Sequence, residues 1–312
     1  MIEIKNLVKK FGKNTVLKGV TFSVNKGEVL GFLGPNGAGK STTMNIITGY
    51  LSSTSGSVVI NGHDILEEPE LAKKSIGYLP ELPPLYLDMT VREYLRFMAD
   101  IKGVRSSEKD NQITKIMSLV KISNEADRLI NNLSKGYKQR VGIAQALIGN
   151  PEILILDEPT VGLDPSQIRE IRKLIRHLAK NHTIILSSHI LSEVQAVCDR
   201  VIIIDNGKIV AADSMIDISK KVNKISKLLV VFRGDSKLVA GTLKAIKGVN
   251  DIFVRETGNN DINRVELSLS SNDPDIRTTI FYRMTKLNCP IIEMKTIEYS
   301  LEEIFLSLTN VE

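Results

Sequence analysis

The residues Gly34-Pro35-Asn36-Gly37-Ala38-Gly39-Lys40-Ser41, followed by Thr42, fit the pattern GxxxxGK[ST] between an apolar stretch that reads as a strand and a segment that reads as a helix. Glycines at those spacings let successive backbone N–H groups wrap a phosphate chain. Lys40 then reaches the β and γ phosphates, and the Ser41 hydroxyl can bind Mg²⁺. A second chemical group lies downstream, where the apolar run Ile153-Leu154-Ile155-Leu156 ends in Asp157-Glu158-Pro159-Thr160. This places two acids at the carboxyl end of a sheet strand, where ligands of open α/β sheets bind. Asp157 would hold Mg²⁺, directly or through water, and Glu158 would orient or deprotonate the water that attacks the γ phosphate. Alone, such an acidic pair is commonly a turn or a helix cap. The phosphate loop in the same chain is what gives it a catalytic reading.

Strands and helices must hold these groups in place. Thr21 to Val24 and Glu28 to Leu33 are β-type stretches separated by the turn-like Asn25-Lys26-Gly27, and Val58-Val59-Ile60 is a further strand closed by Asn61-Gly62. From about residue 88 to 147 strand alternation gives way to helical spacing, as at Leu95, Met98 and Ala99, and a helical insert is expected. Strand and helix then alternate again: Ile153 to Leu156, a helix from Ser166 to Lys180 with Ile168, Ile171, Leu174, Ile175 and Leu178 on one face, and Thr183 to Leu186. Continuous apolar strands between amphipathic helices imply a parallel sheet covered on both faces.

The pattern changes near residue 220. Residues 1–220 are expected to form one domain, 221–225 a linker within the polar run around Lys220-Lys221-Val222-Asn223-Lys224, and 226–312 a second unit. Its apolar periodicity gives the order βαββαβ, a small α+β ferredoxin-like arrangement. Ser300 with Glu303 forms a capping box that would open a last helix carrying Leu301, Ile304, Phe305 and Leu308 on one stripe.

Composition narrows the class. The chain has 312 residues, 42% hydrophobic and 25% charged, which excludes a disordered or fibrous protein and fits about two domains. Its 41 Lys and Arg against 36 Asp and Glu give a net charge of +5, too mild and too evenly spread to imply nucleic acid as a partner. Cys198 and Cys289 form no CxxC pair, so neither a disulfide framework nor a zinc site is indicated. The apolar runs are far shorter than the roughly 20 residues that span a bilayer, and the first residues do not read as a signal peptide. A cytosolic chain is expected.

Leu133-Ser134-Lys135-Gly136-Tyr137-Lys138-Gln139-Arg140 begins 24 residues before Asp157. This segment resembles the signature sequence of ATP-binding cassette (ABC) proteins. The resemblance covers about residues 1 to 220 and includes the ordered set of phosphate loop, glutamine-loop region, signature, Asp157-Glu158, Gly162-Leu163-Asp164-Pro165 and His189. It implies a P-loop cassette with a mixed core sheet, an antiparallel β subdomain and the helical insert, with ATP and Mg²⁺ as cofactors. Phe11 then matches the aromatic that stacks on adenine, Val16 packs beside it, and His189 matches the switch histidine that contacts the γ phosphate. The signature is physically a helix N-terminus offering Ser134 and the backbone N–H groups at Lys135 and Gly136 to an anion. By resemblance that anion is the γ phosphate bound to the other subunit, so one cassette per chain implies a homodimer or a pair with a second ATP-binding subunit. Asp164 before Pro165 reads as a helix N-cap that also contacts the partner.

Two places depart from the family pattern. Glu81 stands where the family usually has a glutamine, keeping a metal-sensing role while adding negative charge near the γ phosphate. The signature has Lys135 and Tyr137 where Gly and Gln are commonest. The segment Leu82 to Met89 occupies the place where the family docks its membrane subunits, with Leu85 and Tyr86 as the contact candidates. The second unit is similar to the domain appended to ATP-binding subunits of the ABC-2 exporter group. Together these imply the ATP-hydrolysing motor of an exporter, peripheral on the cytoplasmic face of the cell membrane and working through separate integral membrane permease subunits. The competing class, a soluble ABC ATPase acting on ribosomes or DNA, typically carries two cassettes in one chain or a long coiled-coil insertion, and neither is visible.

Overall fold

The computed structural model describes residues 1–214, 226–256, 262–269 and 274–297. The chain divides into two compact units, Met1–Met215 and Ile216–Glu312, a boundary five residues ahead of the one read from the sequence. The expected linker and the Ser300–Glu303 capping box with its helix lie outside the described residues.

In the first unit, β1 (Ile2–Phe11), β2 (Asn14–Val24), β4 (Ser55–Ile60) and the two-residue β5 (His63–Asp64) form an antiparallel sheet in the order β2-β1-β4-β5. The second sheet contains β3 (Val29–Leu33), β6 (Ile76–Leu79), β7 (Ile153–Asp157), β8 (Thr183–Ser188), β9 (Arg200–Asp205) and β10 (Lys208–Ser214), in the order β10-β9-β3-β8-β7-β6. All pairs are parallel except β10 with β9, so the sheet is mixed. Every residue of β3, β7 and β8 is buried, which explains their unbroken apolar runs. The register pairs Leu33 with Ser188, Asp157 with Ser187, and Leu79 with Leu156, so four neighbouring strands end at nearly one level.

The helices are α1 (Lys40–Ile47), α2 (Pro69–Lys74), α3 (Val91–Ile101), α4 (Ser106–Leu119), α5 (Lys135–Leu147), α6 (Pro165–Leu178) and α7 (Leu191–Val197). The helical insert comprises α3 to α5. Thr90 opens α3 with a reciprocal capping box to Glu93. Lys102, just past α3, donates from Nζ to the carbonyls of Gln145 (3.3 Å), Ala146 (3.3 Å) and Ile148 (2.9 Å). These carbonyls close the end of α5, where the Gln145 carbonyl also accepts the Ile148 N–H at 3.3 Å, and a lysine there adds donors and complements the helix dipole.

The second unit is built from β11 (Ser226–Arg233), α8 (Ser236–Lys244), β12 (Val249–Glu256), β13 (Ile262–Leu269), α9 (Pro274–Lys286) and β14 (Ile291–Ile297). Its antiparallel sheet runs β12-β13-β11-β14, the ferredoxin-like order expected from the periodicity. Leu228, Val230, Phe232, Val239, Leu243, Val265, Leu267 and Ile280 form its core.

Burial pushes the Lys102 ammonium down from 10.5 to about 8. Between those values the unfolded chain binds more protons than the folded one, so this residue makes stability rise with pH over that window. Comparing Lys102→Met with the wild type by denaturant unfolding from pH 8 to 10 should give the wild type the steeper rise. Equal slopes would contradict the burial of a charged amine.

Candidate active site

The loop from β3 to α1 has a conformation that side chains would obstruct. Gly37 and Gly39 sit at φ 80° and 108°, and a Cβ on Gly34 would lie 2.4 Å from the carbonyl oxygen of Ile204. Lys40 opens α1, with its Nζ donating to the Gly34 carbonyl at 2.9 Å and to the Pro35 carbonyl at 3.3 Å. The same ammonium lies 3.4 Å from Glu158 Oε1, and the two side chains are only 6% and 5% exposed.

Glu158 leaves β7 in the left-handed region, at φ 47°, a conformation that costs a non-glycine residue energy and aims its carboxylate into the cleft. Its N–H is held at 3.2 Å by both the carbonyl and the hydroxyl oxygen of Ser187. The Ser187 hydroxyl donates to Asp157 Oδ1. On the other side, Glu158 Oε2 lies 2.9 Å from His189 Nδ1, so one buried carboxylate bridges Lys40 and His189. A cleft of about 580 Å³ opens over these groups, lined by Val16, the phosphate-loop residues Asn36, Gly37, Gly39, Lys40, Ser41 and Thr42, and Glu81, Glu158, Val161 and His189. A neighbouring cleft of about 560 Å³ shares Ser41 and Glu81 and is also lined by Asp157 and Tyr78. Tyr78 donates to Asn45 Oδ1 at 3.0 Å. Burial first, then the negative charges of Asp157 and Glu81, push its hydroxyl well above the usual tyrosine range.

Phosphate-loop residues, both acids, Glu81, Val16 and His189 are thus brought together. Phe11 lies at the end of β1 with its ring half-exposed and Lys9 Nζ 5.0 Å from the ring centroid. Ser134, Lys135, Gly136 and Asp164 do not line the Lys40 cleft. Ser134 caps α5, accepting the Tyr137 N–H at 3.4 Å. Asp164 caps α6, accepting the Ser166 and Gln167 N–H groups, both at 2.9 Å, and its hydrogen bonds, led by that from the Ser166 hydroxyl, hold its carboxyl below the usual range. The two helix starts pack closely, since a Cβ on Gly136 would meet the Gln167 side chain at 2.6 Å. In the segment 82–89, Leu82 is 85% exposed and Tyr86 is half-exposed, its ring edge-on to Phe97 at 5.4 Å.

Sequence reading did not assign roles to Ser187, Thr160, Glu193 or Gly207. The Ser187-Ser188 pair that ends the apolar run of β8 is the available signal for the first. Gly207, in the β9–β10 turn, accepts the Lys18 N–H at 2.9 Å and donates to the Ala38 carbonyl at 3.1 Å, bracing the phosphate loop. A Cβ there would lie 2.0 Å from the Val16 carbonyl oxygen.

The family profile described as ABC transporter matches residues 17–161. The linearmycin resistance ATP-binding protein LnrL of Bacillus subtilis is 32% identical over 310 residues, covering 99% of this chain and 98% of that protein. The chain belongs to the ABC transporter ATP-binding protein family. Among other members, the bacitracin transport ATP-binding protein BcrA of Bacillus licheniformis is 42% identical over 211 residues, 67% of this chain and 68% of that protein. A solved ATP-binding subunit of an ABC transporter superposes with a TM-score of 0.66 at 33% identity, covering 72% of this chain and 93% of that one. A dimeric ATP-binding cassette in a post-hydrolysis state, bound to ADP and Pi, superposes with a TM-score of 0.63 at 26% identity, covering 69% and 99%. This ABC protein is therefore an ATP-hydrolysing, ATP-binding subunit of a transporter. Among its described residues no helix is long and apolar enough to cross a membrane.

Gly34→Ala should destabilise the first unit by about 1–3 kcal/mol, because the added methyl meets backbone that cannot swing away. Urea unfolding checks this, and an unchanged midpoint would contradict the close approach of Gly34 to β9.

Proposed function

We propose that this ABC subunit binds Mg-ATP at the Lys40 cleft, closes head-to-tail with a second ATP-binding subunit, and drives integral membrane permease subunits in export from the cytoplasmic face. The observation that carries the catalytic part is the Glu158 carboxylate, buried and placed 3.4 Å from Lys40 and 2.9 Å from His189. Phosphate oxygens offer Lys40 a better-matched partner than the Gly34 and Pro35 carbonyls, and the turn of N–H groups from Gly37 to Ser41 would wrap them. Glu158 would then accept hydrogen bonds from the attacking water, with His189 donating to the γ phosphate and holding the carboxylate's orientation.

The residues present fit a magnesium ion. Ser41, Asp157 and Glu81 are hard oxygen donors on adjoining cleft walls. Among the described residues no group of three or more His, Cys, Asp or Glu is arranged to hold a metal by itself, so phosphate oxygens would complete the shell. Held by Ser41, Asp157 and Glu81, the ion would supply positive charge that offsets the negative charge developing during hydrolysis.

Ser134, with the N–H groups of Lys135 and Gly136, would reach the γ phosphate on the partner subunit, in keeping with its absence from the lining of the Lys40 cleft. Phe11 and Val16 would flank adenine. Leu85, half-buried, and Tyr86, exposed, in the apolar segment 82–89, would meet the permease. Relatives named for bacitracin transport, lantibiotic transport and linearmycin resistance favour antimicrobial compounds as the exported class.

Affinity capture of Glu158→Gln, with ATP, from gently solubilised membranes should recover a multi-span membrane protein. Recovery of ribosomal or DNA-repair proteins instead would overturn the exporter reading.

A further inference from the structure

Glu193 is a charged residue of α7 that is only 4% exposed. Its Oε2 accepts from Thr160 Oγ1 at 2.5 Å and from Ser188 Oγ at 2.9 Å, and Ser188 Oγ in turn accepts the Ile190 N–H at 3.0 Å. Thr160 and Ser188 are themselves buried, at 5% and 0% exposure. Taking a carboxylate out of water onto two hydroxyls is costly, and an apolar side chain would fill the space without that cost.

The placement of the two hydroxyls supplies a use. Thr160 lies two residues past Glu158, in a turn closed by Val161 N–H to the Glu158 carbonyl and Leu163 N–H to the Thr160 carbonyl, both at 3.2 Å. Ser188 immediately precedes His189. The contact between Glu158 and His189 therefore spans two turns that a single carboxylate oxygen joins. We propose that Glu193 is a positioning residue that clamps the turn following Glu158 to the turn carrying His189, and so sets how Glu158 and His189 face each other. This rests on the reading in which those two residues act at the γ phosphate. The clamp also fixes the start of the segment leading to Asp164, so the cleft and that helix cap share one anchor.

The test is steady-state ATP hydrolysis by Glu193→Ala, Glu193→Gln, Thr160→Val and the double variant Glu193→Ala/Thr160→Val, with binding of a fluorescent ATP analogue and melting temperature measured on each. Glu193→Ala should lower kcat about 10- to 100-fold, the usual effect of losing a partner that orients reacting groups, with analogue affinity held within about twofold because the Lys40 loop is untouched. A glutamine carbonyl oxygen standing in place of Oε2 still accepts both hydroxyls, so Glu193→Gln should stay within about fivefold of wild type. Thr160→Val should lower kcat alone and add nothing to Glu193→Ala, since both remove the same link. Wild-type kcat in Glu193→Ala, equal losses of kcat and analogue affinity, or additive effects of Thr160→Val would each overturn the proposal. Should Glu193→Ala fail to fold, Thr160→Val and Ser188→Ala provide the same cycle, with non-additivity expected and additivity contrary. His189→Ala separates the premises: if it turns over like wild type the catalytic reading fails, whereas an impaired His189→Ala beside an unimpaired Glu193→Ala removes the clamp alone.

Discussion

Four neighbouring parallel strands, β3, β8, β7 and β6, stop at nearly one level, and the polar groups over the cleft hang from that edge. The parallel register makes this possible, because the pairing of Leu33 with Ser188 and of Asp157 with Ser187 brings segments far apart in the chain to the same height. The strands are apolar and buried throughout, so the first positions where charge is tolerated lie just past their ends. There the charges still need each other. Lys40 and Glu158 are both almost fully buried, and truncating one would leave the other uncompensated in a poorly solvated place.

The edge alone does not aim the side chains. Glycines at positive φ turn the phosphate loop, Glu158 takes a left-handed conformation that its bonds to Ser187 sustain, and Gly207 braces the loop from the β9–β10 turn. Strain is concentrated around the acid that faces Lys40 and His189 and is stabilised by hydrogen bonds from a neighbouring strand. Such local definition suits hydrolysis, because a wall of fixed dipoles needs no reorganisation at the moment of reaction.

The phosphate loop, the acidic pair and the two helix caps were legible in the sequence because each is a local pattern whose chemistry fits within a few residues. The central strands and α6 were legible for the same reason. β1 was not assigned, and β2 was read only from Thr21 although it begins at Asn14. The cause is visible at Asn6, which sits at φ 48° where the register shifts between Ile4 and Leu7. The inward residues are Ile2, Ile4 and Leu7, and that irregular step breaks the alternation that identifies a strand. Ser187, Thr160 and Glu193 were illegible in another way. The Ser187 bond to Asp157 and the Thr160 bond to Glu193 join segments about thirty residues apart, and only the parallel register says that those segments touch. The signature residues do not line the Lys40 cleft of their own chain, and no local pattern in one sequence says which phosphate a helix start would face.

The most direct measurement is single-turnover quench-flow on Glu158→Gln with Mg-ATP, following bound ATP and released phosphate together. The expected result is retained ATP with cleavage slowed by a factor of about 10² or more, the range that a positioned base contributes. Cleavage at the wild-type rate would contradict the central claim, that the carboxylate held between Lys40 and His189 is the group that activates water.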